Sequence, residues 1–587
     1  MNVISRTRPD AQETAFSWLK SFGDALQSGD AAAAAAHFAE GGHWRDVLAF
    51  TWQLQTESGV AAIGAALAPT LARTRPRDFH IPAERSAPRR VRRAGVECIE
   101  AIFEFETEFG RANGVVRLAE DAAEGAWRAW TLLTTLEELH GYPDGRPRAM
   151  SDAERYSRDF GGENWLDQRN KALAYADHDP AVLVVGGGQA GLAVAARLNA
   201  LGVDTLIVDR HERIGDNWRK RYHALTLHNE VHVNHMPLMP FPPTWPVFIP
   251  KDKLANWFES YVESLELNYW TGTELAGGSY DPKAERWTVT LRRGDGSERT
   301  LKPRHVIVAT GVSGIPVWPS IPGLDEFAGT VMHSGSYTSG TAWKGRKALV
   351  LGTGNSGHDV AQDLCSSGAD VTLVQRSPTY IVSIREAQKV YSIYSEGLPF
   401  ADCDLLAASM PYPVLLRAYQ LSTAEMREAD RALLKGLEDR GFRLTYGEDD
   451  TGFQMMYLRR GGGYYFNVGC SDMIVDGRIG LLQYDAIDRF APQGVALRDG
   501  TTMPADLVVV ATGYESQQEF VRLTLGDAIA DRIGPVWGFD DGGELRNMWT
   551  RTAQDGLWFT AGSLAQCRIY SRYLALQIKA QEDGLLR

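Results

Sequence analysis

The apolar positions of the first 145 residues change from a helical to an alternating pattern. Four of them recur at the spacing of one helix face: Phe16, Leu19, Phe22 and Leu26. An alanine-rich helix is predicted over Ala31–Phe38. Segments typical of strands follow, at His43–Trp52, Val96–Phe105, Gly114–Leu118 and Trp127–Leu133. Helices followed by a run of strands predict a small α+β domain.

From residue 179 onward, short apolar runs alternate with helical patterns. A strand, a glycine-rich turn, a helix and a second strand are predicted at Ala181–Val185, Gly186–Gly191, Leu192–Leu201 and Thr205–Val208. The same order begins again at Ala348–Leu351 and reaches its next strand at Val371–Val374. The remaining predicted elements are Trp287–Leu291, Val306–Ala309, Leu507–Val510 and the helices Glu425–Leu437 and Ile569–Ala580. The expected fold class is α/β, with two Rossmann-like dinucleotide-binding domains after the α+β domain.

These patterns predict the domain boundaries. The α+β domain takes residues 1–145, and a linker rich in Gly, Pro, Asp and Arg is expected over 146–178. The first dinucleotide-binding domain would hold 179–335, the second 336–505, and the chain would return to the first over 506–587.

Charge and composition exclude several kinds of protein. The net charge of −13 argues against a nucleic-acid partner, which favours a basic face. The five cysteines are scattered without a CxxC pair, so neither a disulfide framework nor a thiolate metal site is expected. There is no secretory signal and no apolar stretch of about 18 residues, so we expect a soluble cytoplasmic protein without a membrane partner.

The first glycine-rich turn has the residue spacing of a dinucleotide site. Gly186 allows a tight turn, Gly188 lets a pyrophosphate approach the backbone, and Gly191 lets helix and strand pack closely. Asp209 ends the next strand, where a carboxylate can bind a ribose hydroxyl. The other candidate cofactor-binding residues of this region are Gln189, Ala190, Arg210 and Trp218.

The second turn, Gly352-Thr353-Gly354-Asn355-Ser356-Gly357, has the same context, but its following strand ends in Gln375-Arg376-Ser377 without an acid. Arg376 can pair with a 2′-phosphate that an acid would repel, which favours NADPH. The alternative is that Arg376 is an ordinary surface charge. Two dinucleotides in one chain indicate a flavoenzyme that receives hydride from a nicotinamide.

Histidines invite two other interpretations. His333, within Phe327–Tyr337, is expected to fix the connection between the two nucleotide domains rather than to act as an acid or base. His228, His232 and His235 lie in a proline-rich segment without the HExxH spacing, so no metal site is expected there.

The whole motif set resembles the flavin-containing monooxygenases. Its parts are the two glycine-rich turns, the FxGxxxHxxxY pattern of Phe327–Tyr337 and the late Ala511-Thr512-Gly513-Tyr514. Leu225–Pro246 is similar to the corresponding segment of the plant auxin-synthesis members. The related fingerprint of type I Baeyer–Villiger monooxygenases ends in Trp, where this chain has Tyr337.

The N-terminal segment looks like a SnoaL-like α+β cone. The residues that carry this likeness are Trp18-Leu19, Gly29-Asp30, His43-Trp44-Arg45-Asp46 and Thr51-Trp52. The combination is similar to type II flavin-containing monooxygenases, some of which have Baeyer–Villiger activity and use NADH as well as NADPH. A dimerisation or active-site-covering role is expected for this domain.

The resemblance implies FAD on the first turn and Asp209, and NADPH on the second turn and Arg376. It places an amide-bearing asparagine near the flavin, which here means Asn229 or its neighbour His228 as catalytic candidates. Gly513 and Gln566, in the late motif and at the start of the C-terminal helix, are further cofactor-binding candidates.

The implied reaction is a monooxygenation. NADPH or NADH reduces FAD, and O2 forms a peroxyflavin that oxygenates a ketone or a soft nitrogen or sulfur atom of a small molecule. The alternatives are an NADPH oxidase, a decarboxylating or hydroxylating flavoenzyme acting on indole-type substrates, and a non-catalytic flavin-dependent scaffold. We expect a homodimer whose partners are a small-molecule substrate and O2.

Overall fold

The computed structural model describes residues 10–121, 125–143 and 160–586. The first part of the chain forms four helices and a seven-stranded sheet. In chain order these elements are α1 Ala11–Gln27, α2 Ala31–Ala35, β1 Phe38–Val47, β2 Leu54–Ser58, α3 Val60–Leu67, α4 Leu71–Thr74, β3 Arg77–His80, β4 Arg89–Arg93, β5 Val96–Glu106, β6 Arg111–Glu120 and β7 Trp127–Leu136. The strand order is β2-β1-β7-β6-β5-β3, with β4 also paired to β5. The expected α+β domain is therefore present in the described residues.

Three predictions within this domain are corrected. Phe16 is 61% exposed, because the buried face of α1 runs through Ala15, Leu19, Phe22 and Leu26 instead. The helix predicted to reach Phe38 ends at Ala35, and Phe38 starts β1. The strand predicted to reach Trp52 ends at Val47, because Leu48 and Trp52 have positive φ angles of 73° and 58° that turn the chain.

The chain then enters the first large α/β unit. Its elements are α5 Trp165–Ala174, β8 Val182–Val185, α6 Gln189–Ala200, β9 Thr205–Val208, α7 Asp216–Arg219, β10 Thr226–Glu230, β11 Phe248–Pro250, α8 Lys251–Ser264, β12 Asn268–Trp270, β13 Thr273–Asp281, β14 Arg286–Arg293, β15 Glu298–Leu301 and β16 His305–Val308. Helix α5 lies inside the expected linker, where Asn164 and Asp167 close a capping box at its start. The linker residues 146–159 lie outside the described residues.

The second α/β unit and the C-terminal part follow. Their elements are β17 Thr330–His333, β18 Lys347–Leu351, α9 Asn355–Ser366, β19 Asp370–Gln375, β20 Tyr380–Ser383, α10 Ile384–Ala387, α11 Phe400–Ala408, α12 Tyr412–Ala429, α13 Arg431–Asp439, α14 Gly452–Arg460, β21 Tyr464–Asn467, α15 Cys470–Val475, β22 Gly480–Gln483, β23 Ile487–Ala491, β24 Gly494–Leu497, β25 Thr502–Pro504, β26 Leu507–Val510, α16 Gln517–Leu525, α17 Asp527–Ile533, β27 Leu557–Phe559 and α18 Leu564–Glu582. The single helix predicted over Glu425–Leu437 is divided between α12 and α13 at Asp430, whose carboxylate accepts a hydrogen bond from the Ser383 amide at 2.7 Å.

Two five-stranded parallel sheets form the centre of these units. Their strand orders are β12-β9-β8-β16-β27 and β17-β26-β18-β19-β22. Some strands, such as Val182–Val185 and Leu507–Val510, are fully apolar and buried, as expected when helices cover both faces of a parallel sheet. Each glycine-rich turn follows a central strand, so both turns lie at the carboxyl edge of a sheet, where open α/β folds bind ligands.

The strand pairing corrects two expected domain boundaries. Thr330–His333 and Leu507–Val510 were assigned to the first dinucleotide-binding domain, but they pair with each other and so belong to the second sheet. Leu507–Val510 also pairs with Ala348–Leu351, the strand before the second glycine-rich turn. The chain returns to the first sheet only at Leu557–Phe559, which pairs with Val306–Val308.

The N-terminal domain packs against the C-terminal half of the chain. Apolar residues of its sheet, such as Val47, Trp52 and Leu133, form one buried cluster with residues of α11 and α18, including Leu406 and Leu576. No helix in the described ranges is both long enough and apolar enough to cross a membrane.

Candidate functional site

A cavity of about 1910 Å³ connects most of the predicted site residues. Twelve of them lie on its wall: Gln189, Trp218, His228, Asn229, Gly352, Gly354, Asn355, Ser356, Gly357, Arg376, Gly513 and Gln566. The cavity also touches residues of the N-terminal domain, among them Arg45 and the turn Arg92–Gly95. One partly open space therefore joins the second glycine-rich turn and Gln189 of the first to the N-terminal domain.

The glycines of the first turn have two different structural roles. Gly186 has φ +108°, and a Cβ there would lie 2.6 Å from the Ala309 carbonyl oxygen. A Cβ on Gly191 would lie 2.0 Å from the carbonyl oxygen of Gly186, so these two glycines are required by backbone packing. Gly188 instead caps α6 with an ordinary φ of −81°, and a Cβ there would lie 2.9 Å from the side-chain nitrogen of Asn217. The free amides at the start of α6 and the Asn217 amide are donors suited to a pyrophosphate.

Asp209 lies directly behind the first turn. Its carboxylate accepts hydrogen bonds from the amides of Gly187 at 2.7 Å and His211 at 2.9 Å. Burial would raise the pKa of Asp209, but the hydrogen bonds from His211 and Gly187 outweigh it and hold that pKa below its usual value. The group is therefore ionised at neutral pH, as a ribose-binding carboxylate must be. The neighbouring Arg210 is exposed and does not line the cavity, and Ala190 is buried inside α6, so these two predicted residues are not brought to the wall.

The second turn repeats this division. Gly352 has φ +115°, and a Cβ on Gly357 would lie 1.9 Å from the Gly352 carbonyl oxygen. A Cβ on Gly354 would meet nothing closer than the Tyr464 carbonyl oxygen at 3.8 Å, so the start of α9 is open to the cavity. Asn355 holds the adjacent wall by accepting a hydrogen bond from the Phe466 amide at 3.0 Å.

Two guanidinium groups line the same cavity as the second turn. Arg376 is exposed on the cavity wall, and no carboxylate ion pair is recorded for it in the described structure. Arg221, which the sequence analysis missed, lines the same region near His333 and Tyr222. Gln375, where NAD-specific sites carry an acid, is buried and bonded through its amide to the backbone of Arg443. The donor set thus fits a 2′-phosphorylated nicotinamide dinucleotide.

His228 and Asn229 both reach the cavity from β10. The His228 side chain is exposed to the cavity that it lines, and the protein atoms packed around it lower the pKa of His228 to about 4 by desolvation. The Asn229 amide donates to the Tyr391 hydroxyl at 3.2 Å, and its backbone carbonyl accepts from Asn234 at 2.9 Å. The strand therefore presents a neutral imidazole beside a held carboxamide.

Side chains connect the first turn to the start of α18. The Trp218 indole donates to the Gln189 amide oxygen at 3.1 Å, and the Gln189 nitrogen donates to the Gly562 carbonyl at 3.3 Å. Gln566 closes the capping box of α18 with Ser563, and its side-chain oxygen also accepts from the Tyr457 hydroxyl at 3.1 Å. The N-terminus of α18 is thus fixed against the first turn, where its dipole can stabilise negative charge on a bound flavin.

Part of the cavity wall is rich in aromatic side chains that no sequence motif marked. Tyr391, Tyr419, Tyr457, Tyr464 and Phe466 come from the segment after α10 and from α12, α14 and β21. They were missed because the segment between residues 384 and 469 carries no recognisable motif, and only the tertiary fold brings them to one surface.

The other histidines have structural contacts. Both ring nitrogens of His333 bond to backbone groups, the amide of Gly335 at 3.1 Å and the carbonyl of Gly513 at 3.2 Å, near the edge shared by β17 and β26. The His235 ring accepts from the Phe241 amide at 3.0 Å. Within the described residues, no group of three or more His, Cys, Asp or Glu side chains could hold a metal ion.

An ion pair holds the N-terminal domain at the cavity. The Arg45 guanidinium makes two hydrogen bonds, of 2.7 and 2.6 Å, to the Glu544 carboxylate, and both side chains are buried. Thr56 of β2 donates to the same carboxylate at 2.9 Å. Arg45 also contacts the Tyr570 hydroxyl at 3.2 Å. A charge-assisted, bidentate contact of this kind fixes orientation as well as proximity.

Comparisons with known proteins agree with this arrangement. Residues 183–394 match the family model described as pyridine nucleotide-disulphide oxidoreductase, although all five cysteines of this chain are free. The chain is 31% identical over 338 residues to the indole-3-pyruvate monooxygenase YUCCA1 of Oryza sativa subsp. japonica, a match that covers 57% of this chain and 77% of that protein. It is 30% identical over 338 residues to the probable indole-3-pyruvate monooxygenase YUCCA4 of Arabidopsis thaliana, covering 57% of this chain and 76% of that one.

A solved structure shares the fold. The cyclohexanone-bound structure of cyclohexanone monooxygenase in the rotated conformation superposes with a TM-score of 0.51 at 17% identity, over 69% of this chain and 88% of that one. At this identity the likeness concerns the fold alone. The sequence relatives and the residues of the two dinucleotide sites support the same assignment. The chain belongs to the flavin-containing monooxygenase family and is an FAD-dependent monooxygenase that uses NADPH.

Proposed function

We propose that this enzyme inserts an oxygen atom into small apolar ketones, and that the same site oxygenates soft sulfur and nitrogen atoms. The balanced reaction is ketone + O2 + NADPH + H⁺ → ester + NADP⁺ + H2O. The observation that carries the proposal is the cavity of about 1910 Å³, whose wall includes the second dinucleotide turn, Gln189 of the first turn and a group of aromatic side chains. A concave site with aromatic side chains on its wall favours apolar substrates and restricts the access of water to the reacting atoms.

Each part of the site has a role in this proposal. Gly188 and the start of α6, with Asp209, would hold the pyrophosphate and ribose of FAD, while Gly354 and the start of α9 would hold the NADPH pyrophosphate. Bound FAD would supply hydride acceptance and the activation of O2. Trp218, Gln189 and the α18 N-terminus would fix its orientation.

His228 and Asn229 would stabilise the oxygenating state as neutral hydrogen-bonding groups. Because the pKa of His228 is about 4, the imidazole carries no positive charge at neutral pH. Both residues are on the cavity wall, and the Asn229 carboxamide is held by Tyr391. Fixed neutral dipoles in an enclosed site stabilise developing negative charge without reorganisation.

Arg376 and Arg221 support a preference for NADPH over NADH. Both face the second turn, where a 2′-phosphate would approach, and a bidentate guanidinium–phosphate contact is among the stronger charge-assisted interactions. NADH use is also expected. Its extent would depend on how much of the free energy of NADPH binding comes from the contacts of Arg376 and Arg221 with the 2′-phosphate.

A second candidate substrate class is an aromatic 2-oxo acid. The named relatives are indole-3-pyruvate monooxygenases, and the cavity contains Arg417 of α12, for which the described structure records no ion pair. Arg92 faces the same space from the N-terminal domain, where its guanidinium contacts the Gly95 carbonyl at 3.3 Å. A substrate carboxylate bound by these guanidinium groups would favour decarboxylation over ester formation.

We further propose that the N-terminal domain is SnoaL-like and covers the active site. Its turn Arg92–Gly95 and its Arg45 lie on the cavity wall, so it would complete the substrate space. A homodimer, a cytoplasmic location and the expected division into domains, with the strand exchanges described above, belong to the same proposal.

The test is a product screen with purified holoenzyme. Acetophenone, cyclic ketones, thioanisole, tertiary amines and indole-3-pyruvate are each incubated with NADPH and O2, and products and H2O2 are quantified against NADPH consumed. Ester from a ketone, with peroxide well below one equivalent, supports the proposal. Decarboxylated product from indole-3-pyruvate alone would favour the second class, and one equivalent of H2O2 with every compound would indicate an NADPH oxidase.

A further inference from the structure

Tyr391 occupies a position that the sequence analysis did not mark. It lies in a short 3₁₀ segment, Gln388–Ser395, that is attached to β10. The Gln388 amide nitrogen donates to the His228 carbonyl at 2.8 Å, and its oxygen accepts from the Glu230 amide at 3.3 Å. These two bonds flank Asn229, so the segment and the strand form one rigid unit beside the cavity.

The described hydrogen bonds of the Tyr391 hydroxyl are bonds that its oxygen accepts, not bonds that its O–H donates. The Asn229 amide nitrogen donates to the Tyr391 oxygen at 3.2 Å. Gln454 of α14 also contacts this oxygen, and both amides favour the phenolate form, as N–H donors do. A tyrosine hydroxyl accepts two hydrogen bonds and donates one. The described structure records no acceptor for the Tyr391 O–H, and because Tyr391 lines the cavity, this proton is available to a ligand bound there.

The surroundings keep this hydroxyl protonated and its hydrogen bond strong. Burial raises the pKa of Tyr391, and its neighbours Tyr419 and Tyr464 also have raised pKa values for the same reason. Tyr391 is therefore a neutral donor across the physiological range. In a region of low dielectric, a donor held by two amides stabilises a partial negative charge more than a solvated one does.

Tyr391 also lies near the flavin end of the cavity. Its close neighbour Tyr457 donates to Gln566 in the cap of α18 at 3.1 Å. The same helix start is joined through the Gly562 carbonyl to Gln189 of the first turn. The hydroxyl thus stands between the group that would hold the flavin and the space left for substrate.

We propose that Tyr391 is a catalytic residue for carbonyl substrates, whose hydroxyl donates a hydrogen bond to the ketone oxygen and makes the carbonyl carbon more electrophilic. This inference rests on the proposed ketone oxygenation. The phenol keeps its proton and no bond to it forms or breaks. A thioether has no oxygen to accept this hydrogen bond, so its oxidation depends on Tyr391 only through the Asn229 carboxamide that the Tyr391 hydroxyl holds.

The test compares acetophenone with thioanisole, which differ by a carbonyl in place of sulfur. Tyr391→Phe removes the hydroxyl and keeps the ring. Its kcat/KM for acetophenone is expected to fall tenfold to a hundredfold, roughly the effect of losing one preorganised donor, and the fall for thioanisole is expected to be at least fivefold smaller, because thioanisole loses only the support that Tyr391 gives to Asn229. Tyr380→Phe is the matched control, since the Tyr380 hydroxyl is buried against the Met426 sulfur and away from the cavity.

Equal losses with both substrates, or an unchanged ratio, would overturn the assignment. A separate binding measurement keeps the inference testable if the wild-type enzyme makes no ester, which would refute the proposed function instead. Acetophenone and thioanisole are titrated into oxidised holoenzyme without NADPH, and the flavin absorbance reports Kd. A fivefold or greater weakening for acetophenone alone in Tyr391→Phe supports the role, and equal Kd changes for both ligands contradict it.

Discussion

At the scale of single residues, the site combines charged groups for the nucleotide phosphates with neutral groups for the substrate. Arg376, Arg221, His228, Asn229 and Tyr391 all line the cavity. Desolvation by the surrounding protein lowers the pKa of His228 to about 4 and so removes its charge at neutral pH. The arginines suit a phosphorylated coenzyme, and the neutral groups suit an apolar ketone.

Arg376→Ala is expected to weaken NADPH binding by about 1–3 kcal/mol, the range for a lost hydrogen bond to a charged group, and to leave NADH binding unchanged. The measurement is Kd or KM for the two coenzymes. Arg346→Ala is the control, because Arg346 is an exposed arginine of the same unit that pairs with Asp506 outside the cavity. Equal losses for NADPH and NADH would show that Arg376 does not contact the 2′-phosphate.

His228 is expected to contribute no ionisation between pH 6 and 9. Its folded pKa of about 4 lies below the ordinary value, so the ring is protonated only under acid conditions and neutral above them. His228→Gln is therefore expected to lower kcat/KM without changing the shape of its pH profile over that interval. If an ionisation near pH 6–7 disappears in the variant, the ring is charged in the working enzyme and this assignment is wrong.

At the scale of elements, each dinucleotide site is a strand, a turn and the start of a helix. The glycines within it are not equivalent. Gly191 and Gly357 allow the helix to pack on its own turn, Gly354 leaves the helix end open, and Gly188 gives room to the Asn217 side chain at 2.9 Å. The spacing is the same in both turns because the same geometry of strand and helix produces it.

The pair Gly357→Ala and Gly354→Ala separates these roles. A Cβ at 357 would lie 1.9 Å from the Gly352 carbonyl oxygen, so the first change is expected to destabilise the fold by about 1–3 kcal/mol. A Cβ at 354 meets nothing within 3.8 Å, so stability is retained while the KM for NADPH rises. Thermal unfolding and coenzyme kinetics check both, and a loss of stability in Gly354→Ala would contradict the proposed opening.

At the scale of the whole molecule, the N-terminal domain completes the cavity that the two α/β units leave open. It is attached by an apolar cluster with α11 and α18 and by the buried pair of Arg45 and Glu544. Removal of one member of a buried pair leaves an uncompensated charge, which is more costly than removal of both.

Arg45→Ala is expected to destabilise the docked domain by about 3–5 kcal/mol and to raise H2O2 release per NADPH, because water gains access to the cavity. The double variant Arg45→Met with Glu544→Gln is expected to regain most of the stability. Arg213→Ala, at an exposed arginine that pairs with Glu259, is the control and is expected to leave unfolding and coupling unchanged. Unchanged unfolding and coupling in Arg45→Ala would show that this contact does not hold the domain in place.

Local pattern was sufficient for some elements and not for others. The strands Thr205–Val208 and Leu507–Val510 have the predicted bounds, because short runs of β-branched and apolar residues between turns are typical of strands. The prediction of one helix over Glu425–Leu437 was wrong. The helix is interrupted at Asp430, whose carboxylate accepts a hydrogen bond from the amide of Ser383, a residue distant in sequence. The assignment of Leu507–Val510 to the first sheet was also wrong, since the sequence of a buried strand does not show which strands it pairs with.

The sequence by itself determined the two dinucleotide turns, the family and the choice of coenzyme, because those depend on the residue types at a few consecutive positions. Only the tertiary structure decided which side chains surround the substrate. Tyr391, Arg221 and the Arg45–Glu544 pair come together from segments up to 499 residues apart. Spacing within a segment sets the geometry of a turn, whereas the packing of whole elements sets the shape of a cavity.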